Sequence, residues 1–370
     1  MSRKIHITLV GGQVIPIYQG IMQYPADEVI LLHTADTLPQ AKILQAHIQT
    51  VNRLVGINDA FNFNEIYNKI QSLIDNSAEY VANITGGTKI MSIALMESFI
   101  DRQEATIFYL DQNQTILNIR SRKSHTAQVH LSISDIFSLS GNKLVEYKDY
   151  SIIDHKLIGE VKAVRKLMKY SRGEWYKLLA GIRVDEKLKG LKTLAGSSYS
   201  LDPNSGQLII SIKRNGKELR HVFNLDHPRK FINDTQWFEI EVADILSRWR
   251  YCKDLYLQSK VAYRSGLEKN EIDIIINTNG KLIFVECKTQ VFDIKDIDKF
   301  RNVVKNYGGL AAKAILITDQ PINKRVEEKC MDNNITHVCM QGSDNDAAFF
   351  SFEERLFIVL EQNLFKNNPI

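Results

Sequence analysis

The segment from Glu271 to Gln290 constrains the fold most. Two runs rich in β-branched and apolar residues flank Asn279-Gly280, and that dipeptide between such runs signals a β-hairpin. With Asn279-Gly280 as a two-residue loop, Thr278 pairs with Lys281, and counting outward sets Asp273 opposite Glu286. Their Cβ atoms would lie roughly 5 Å apart. Alternation puts Glu286, Lys288 and Gln290 on the face that carries Asp273, and Val285, Cys287 and Thr289 on the other. One face of the hairpin therefore carries two carboxylates, an ammonium and an amide.

Carboxylates paired across an apolar sheet repel each other and are poorly hydrated, which is costly unless a cation is bound. Mg²⁺ or Mn²⁺ takes oxygen ligands, keeps several waters, and can make one of them nucleophilic toward phosphorus. Lys288 would orient that water or stabilise the developing phosphorane charge. The competing reading is a hairpin whose charges merely face solvent. The order of Asp273, hairpin, then Glu286-Cys287-Lys288 resembles the core of the PD-(D/E)XK nuclease superfamily. The resemblance implies Asp273, Glu286 and the backbone carbonyl of Cys287 as metal ligands, Lys288 as the catalytic cation, and Gln290 as the extra glutamine of some branches. No Pro-Asp precedes the hairpin acid, which sits in Glu271-Ile272-Asp273; this departs from the superfamily pattern but leaves the chemistry intact. Glu271 shares the face of Asp273.

The flanking sequence fits that core. Thr235 to Trp249 reads as a helix with Phe238, Val242, Ile245, Leu246 and Trp249 in one stripe. Glu239 and Glu241 lie near opposite edges of the stripe, so spacing alone leaves open which one faces the hairpin. The superfamily places an acid on this helix, and the resemblance selects Glu239 as a direct or water-mediated metal contact. After Gln290 the pattern reads helix 296–306, strand 314–318, helix 323–331, strand 336–340 and a terminal helix 352–362. The expected C-terminal domain, 235–370, is thus α/β and restriction-endonuclease-like.

The N-terminal part reads as a second α/β domain, 1–145. Strands are expected over 4–10, 28–33 and 80–84, helices over 38–54, 64–74 and 90–100, and further strands near 105–110, 114–120 and 129–133. Strands alternating with helices imply a parallel sheet, whose ligands bind beyond the carboxyl ends of the strands. Gly11-Gly12-Gln13 and Thr85-Gly86-Gly87-Thr88-Lys89 both follow strands. The glycines permit close backbone approach, the next helix N-terminus favours an anion, and Lys89 adds a charge-assisted contact. By itself the second motif is a weak signal, matching neither a Walker A loop nor Gly-x-Gly-x-x-Gly. In this position it resembles the CARF domain of CRISPR-associated proteins, which senses cyclic oligoadenylates. A CARF domain followed by a PD-(D/E)XK domain is the layout of accessory nucleases of type III CRISPR systems. The resemblance implicates Gly11, Gly12, Gln13 and Thr85 to Lys89 in cyclic tetra-adenylate binding. It also implies a two-fold dimer, each copy cradling half of the ring.

Residues 146–234 are expected to connect the two. A helix over 156–179 places Leu157, Val161, Val164, Leu167 and Met168 on one face, and a small hairpin over 206–224 turns at Asn215-Gly216. From Lys156 to Lys192 there are eleven Lys and Arg against four Asp and Glu. That segment suits either a solvated helix face or phosphate binding, which would be strongly salt-dependent. Trp175 and Tyr176 are expected in the core.

The 370 residues suffice for two domains, and 44% hydrophobic with 24% charged residues is ordinary globular composition. A net charge of +4 leaves nucleic-acid affinity to local patches. No run reaches the ~20 apolar residues of a membrane span, the start lacks a secretory apolar core, and the protein is expected to be cytoplasmic. The four cysteines lack metal or disulfide spacing. Together these readings imply a cyclic tetra-adenylate-activated, metal-dependent nuclease acting on single-stranded DNA and RNA with little sequence specificity. The alternatives are a ligand-responsive nucleic-acid-binding regulator with an inactive nuclease fold, and a DNA-repair nuclease regulated by an ordinary nucleotide.

Overall fold

The computed structural model describes residues 2–111, 113–184, 192–194, 196–201, 207–262, 268–278, 280–291, 293–308, 312–341 and 351–365. Two compact units emerge, the body of one being residues 1–144 and that of the other residues 145–278 and 282–370.

The first unit runs β1 (Lys4–Leu9), α1 (Val14–Gln23), β2 (Glu28–His33), α2 (Leu38–His47), β3 (Val51–Gly56), α3 (Phe63–Gln71), β4 (Glu79–Asn83), α4 (Lys89–Phe99), β5 (Thr106–Leu110), β6 (Thr115–Asn118), β7 (Ser124–Thr126) and α5 (Ile133–Leu139). Its sheet has the order β3-β2-β1-β4-β5-β6-β7. The first five strands in that order pair in parallel, and β6 and β7 close it antiparallel. Near-continuous burial along β1 and β2 is what a parallel sheet covered on both faces requires. Ile5, Ile7 and Leu9 pack with Ile66 and Ile70 of α3 and Met91, Leu95 and Phe99 of α4. On α1, Gly20 comes so close to the sheet that a Cβ there would meet Asn83 Nδ2 at 2.5 Å and Phe108 at 3.0 Å.

Three expectations are corrected in this unit. The helix expected over 38–54 ends at His47, and Val51–Gly56 is an edge strand paired with β2. The Asn52 side chain turns the chain by donating to the Ile48 and Thr50 carbonyls, and Val51 and Leu54 fit a helical spacing as well as a half-buried strand. No strand forms over 129–133; instead Ser132 and Asp135 form a reciprocal capping box that starts α5 at Ile133. Because β3 precedes it, the Thr85-to-Lys89 loop follows the fourth strand rather than the third. α1 also emerges where no helix was expected, with Pro16 tolerated in its first turn.

The second unit runs β8 (Leu144–Asp149), α6 (His155–Tyr170), α7 (Arg172–Val184), β9 (Lys192–Leu194), β10 (Ser197–Leu201), β11 (Leu208–Arg214), β12 (Lys217–Phe223), α8 (Pro228–Asn233), α9 (Gln236–Ser247), β13 (Asp254–Ala262), β14 (Glu268–Asn277), β15 (Leu282–Lys288), α10 (Lys295–Tyr307), β16 (Lys313–Thr318), α11 (Lys324–Asp332), β17 (Ile335–Cys339) and α12 (Phe352–Phe365). The expected single helix over 156–179 is broken at Ser171, which caps α6 in an extended conformation. The small hairpin turns at Asn215 and Gly216, both at positive φ, within a four-stranded sheet β12-β11-β10-β9.

The main sheet of this unit is β17-β16-β15-β14-β13-β8. Strands β8 and β13 were absent from the sequence reading. One core joins Val161, Val164 and Trp175 of the helices before the sheet to Trp237 and Phe238 of α9 and Val285 and Cys287 of β15. Residues 146–234 therefore share a core with the C-terminal residues.

Candidate functional site

The register of β14 against β15 runs from Asn277↔Leu282 to Ile274↔Val285. Continued by one residue, it sets Asp273 opposite Glu286, the pairing read from the hairpin; Asn279 of the turn lies outside the described residues. The Cys287 backbone N–H donates to Asp273 Oδ2 at 2.7 Å, and Lys288 Nζ pairs with Glu286 Oε1 at 2.8 Å. Glu239, in the first turn of α9, is buried and reaches the same cluster. Glu241 turns elsewhere, to Arg165 of α6. Gln290 is exposed, two residues past the end of β15, and Glu271 is exposed at the Lys260 register position of β13.

Three carboxylates around one ammonium leave an uncompensated negative charge. Burial, with the charges of Glu286 and Glu239, raises the Asp273 carboxyl well above its ordinary value. Burial lifts Glu239 to about 7; a hydrogen bond from Gln258 pulls it down, and the charges of Glu271 and Glu286 push it up. Burial would lower Lys288, but the Glu286 and Asp273 charges outweigh it and hold the ammonium charged above its usual range. The Cys287 thiol is pushed up by burial and stays protonated.

Two residues that sequence reasoning missed complete the cluster. Gln258 Nε2 donates to Glu239 Oε2 at 2.7 Å, while Gln258 Oε1 accepts from Lys148 Nζ at 2.7 Å. Gln258 does this from a left-handed backbone, φ 50°, inside β13. Strand alternation around Leu255, Leu257 and Val261 would have revealed β13, but no local signal marks Gln258.

Among the described residues, no three His, Cys, Asp or Glu side chains already stand together at metal-ligand spacing. The donor set nevertheless fits a hard divalent cation: it is all-oxygen, Glu239 is buried and Asp273 and Glu286 are half-buried, and a cation would bring down the raised carboxyls of Asp273 and Glu239. Asp273, Glu286 and Glu239 are the side chains that would hold it.

In the first unit, strand order reverses between β1 and β4, where a doubly wound sheet opens a crevice at its carboxyl edge. The Gly11–Gln13 and Thr85–Lys89 loops leave these two adjacent strands and touch. A Cβ on Gly11 would meet Gly87 N at 2.9 Å, and one on Gly86 would collide with the Leu9 carbonyl oxygen. Gly87 has φ +75°, whereas Gly12 has open space. Thr88 caps α4 through Met91 N and donates to Ala60 O, and Thr85 Oγ1 accepts from Leu110 N. Both hydroxyls thus brace the loop. Gly12, Gln13, Gly87 and Lys89 are exposed.

Residues 5–136 match the family model of the Card1 CARF domain. The CARF match thus covers the parallel strands, both glycine loops and the first turn of α5. No curated relative matches the sequence of the chain. Among solved structures, Can2 from Sulfobacillus thermosulfidooxidans, in complex with cyclic tetra-adenylate, is similar at TM-score 0.69 and 19% identity, covering 98% of this chain and 99% of Can2. Protein VC1899 from Vibrio cholerae is similar at TM-score 0.72 and 16% identity, over 97% and 98% of the two chains. A type III CRISPR defence DNA nuclease activated by cyclic oligoadenylate matches at TM-score 0.60 and 15% identity; all of this chain is covered but only 52% of that one. At these identities the likeness is one of fold: a CARF-matching α/β unit followed by a further α/β unit. No helix among the described residues is long and apolar enough to cross a membrane.

Proposed function

We propose that the protein is a cyclic tetra-adenylate-responsive, metal-dependent nuclease of type III CRISPR defence, with a PD-(D/E)XK centre in its second unit. The observation that carries this reading is the convergence of Asp273, Glu286, Lys288 and Glu239 on one hairpin end, in a chain that begins with a CARF-matching unit. The fold neighbour described in complex with cyclic tetra-adenylate, and the one described as a DNA nuclease activated by cyclic oligoadenylate, support the two halves of this reading.

A bound Mg²⁺ or Mn²⁺ would supply Lewis-acid polarisation of the phosphodiester and activation of water. Asp273 and Glu286 would bind that cation, with the Cys287 carbonyl as a further oxygen donor. The Cys287 N–H fixes the Asp273 carboxylate, and Gln258 fixes Glu239. Lys288, kept charged by its carboxylate neighbours, stabilises negative charge developing on the phosphoryl oxygens. Gln290, at the solvent edge, would contact the strand being cut. Single-stranded DNA and RNA are proposed as its substrates, with little sequence specificity. In the first unit Gly11, Gly12, Gln13 and Thr85 to Lys89 would line the ligand, with backbone N–H groups, the start of α4 and Lys89 facing its phosphates. A symmetric ring suits a homodimer that applies the same contacts twice.

The test is cleavage of labelled single-stranded DNA and RNA in Mn²⁺, with and without cyclic tetra-adenylate, by the wild type and by Glu286→Ala and Lys288→Ala. Cleavage that requires the ligand and is lost in both variants is the expected result. No cleavage of either polymer with ligand demonstrably bound would replace this reading with the nucleic-acid-binding regulator.

A further inference from the structure

The basic segment that follows the first unit in the chain has no part in the hydrolytic cluster, yet the fold arranges it. Lys162, Lys166 and Lys169 recur on α6 at i, i+4 and i+7 and so share one face. All three are exposed and form no ion pair among the described residues. With Arg172 they line a cavity of about 970 Å³ whose far wall is α9 and whose end is formed by residues just past β16 and β17.

The other charges of the cavity are already paired. Arg165 lies between Glu241 and Asp319 at 2.6 and 2.5 Å, and Arg248 between Asp244 and Glu353 at 2.5 and 2.8 Å. Each arginine leaves one surplus carboxylate charge, and the four remaining cations exceed those two. The groove is therefore net positive along its α6 side.

Its position separates it from the hydrolytic centre. Glu239 and Glu241 are two residues apart on α9, about 200° around the helix. One is bonded to Gln258 within the hydrolytic cluster, and the other is bonded to Arg165 in the groove.

We propose that this groove between α6 and α9 is a second, sequence-independent site for the phosphodiester backbone of single-stranded nucleic acid. The lysine row spans about 10 Å along the helix, which several successive phosphates of an extended strand occupy and one phosphate does not. Ammonium groups on flexible stems act as point charges that position a backbone without reading bases. Ile158 and Ile245, both half-buried, give the same cavity apolar surface for sugars and base faces. The proposal rests on the reading of the protein as one that acts on nucleic acid, but it does not need the hydrolytic centre to be active.

The experiment is fluorescence anisotropy of a labelled single-stranded 20-mer, as DNA and as RNA, in EDTA so that no strand is cut. The full-length wild type is compared with Lys162→Ala/Lys166→Ala/Lys169→Ala and with the triple Lys→Arg variant over a salt series. Loss of three phosphate contacts should lower the slope of log K against log salt by about 2 and weaken binding about tenfold or more. The arginine variant should keep both. Unchanged affinity and slope in a triple-alanine variant that unfolds at the wild-type temperature would overturn the site. So would competition by AMP as effective as that by unlabelled strand, or a wild type that binds no strand. Binding lost in the triple-alanine variant of a protein that cleaves nothing would leave the groove standing and remove the nuclease.

Discussion

Gln258 holds Glu239 by a 2.7 Å hydrogen bond, donated from a backbone that a glutamine rarely adopts. Its carbonyl end is anchored in turn by Lys148 of β8, the strand that follows the first unit in the chain. The carboxylate proposed as the third metal contact is thus oriented by two residues outside the hairpin motif. Replacing Gln258 by Leu keeps the volume but leaves Glu239 buried without its donor. Mn²⁺ affinity, measured by isothermal titration with the full chain, should fall about 10- to 100-fold. Lys148→Met should give a smaller loss in the same direction. Wild-type Mn²⁺ affinity in Gln258→Leu would mean that Glu239 does not contact the ion.

Arg165 carries a different burden. It ties α6 to Glu241 of α9 and to Asp319 just after β16, and Asp319 is only 1% exposed. Its guanidinium also lies 4.9 Å from the Trp237 ring. Arg165→Met keeps much of the packing and strands both carboxylates, an uncompensated buried charge that costs roughly 3–5 kcal/mol. Urea unfolding should show an unfolding free energy lower by that amount, with a correspondingly lower midpoint, and the double variant Arg165→Met/Asp319→Asn should recover part of it. An unchanged midpoint would show that water reaches Asp319.

The hairpin site was legible because β pairing has a period of two and Asn279-Gly280 sets the zero of the count; that arithmetic yields Asp273 facing Glu286. Glu239 was not separable from Glu241 by spacing, because the stripe on α9 is broad enough to leave each at an edge. In the fold Glu241 pairs with Arg165, while Glu239 accepts a hydrogen bond from Gln258. Gln258 and Lys148 were illegible for a stronger reason: their roles depend on a left-handed residue inside a strand and on pairing across 110 residues of chain, neither of which leaves a local pattern. In the first unit the buried strands stood out, whereas the edge strand β3, half exposed, shared its apolar spacing with a helix.

The two glycine loops make a contrast between neighbours. A methyl group on Gly86 would overlap the Leu9 carbonyl oxygen and press on Ile17 Cδ1 at 2.8 Å, while one on Gly12 meets nothing within 4 Å. Gly86→Ala should therefore destabilise the first unit by about 1–3 kcal/mol and weaken cyclic tetra-adenylate binding with it. Gly12→Ala should unfold at the wild-type temperature, so that any loss of ligand affinity in it reports the loop surface alone. Thermal unfolding and ligand titration on both variants make the comparison. Equal stability of the two variants would mean that the β1 and β4 loops separate readily.

Acid sensitivity is expected from two histidines. His6, on β1, is fully buried; its Nδ1–H donates to the Tyr24 carbonyl at 3.1 Å, and its ring stands edge-on to Phe108. Burial lowers its pKa to about 4, and burial does the same to His337 on β17, whose Nε2 lies 2.8 Å from Thr318 Oγ1. In the unfolded chain both titrate near 6.5. Between about 6.5 and 4 the unfolded chain therefore binds protons that the folded one does not, and stability falls as pH falls through that window. For His6 the full loss is roughly 3 kcal/mol by pH 4, with none above pH 7. His6→Gln retains an N–H for Tyr24 and removes the titration, so its stability should fall less steeply with acid, by up to about 1.4 kcal/mol per pH unit. Urea midpoints of wild type and variant from pH 4.5 to 7.5 measure this difference. Parallel pH curves would show that His6 takes up its proton in the folded protein.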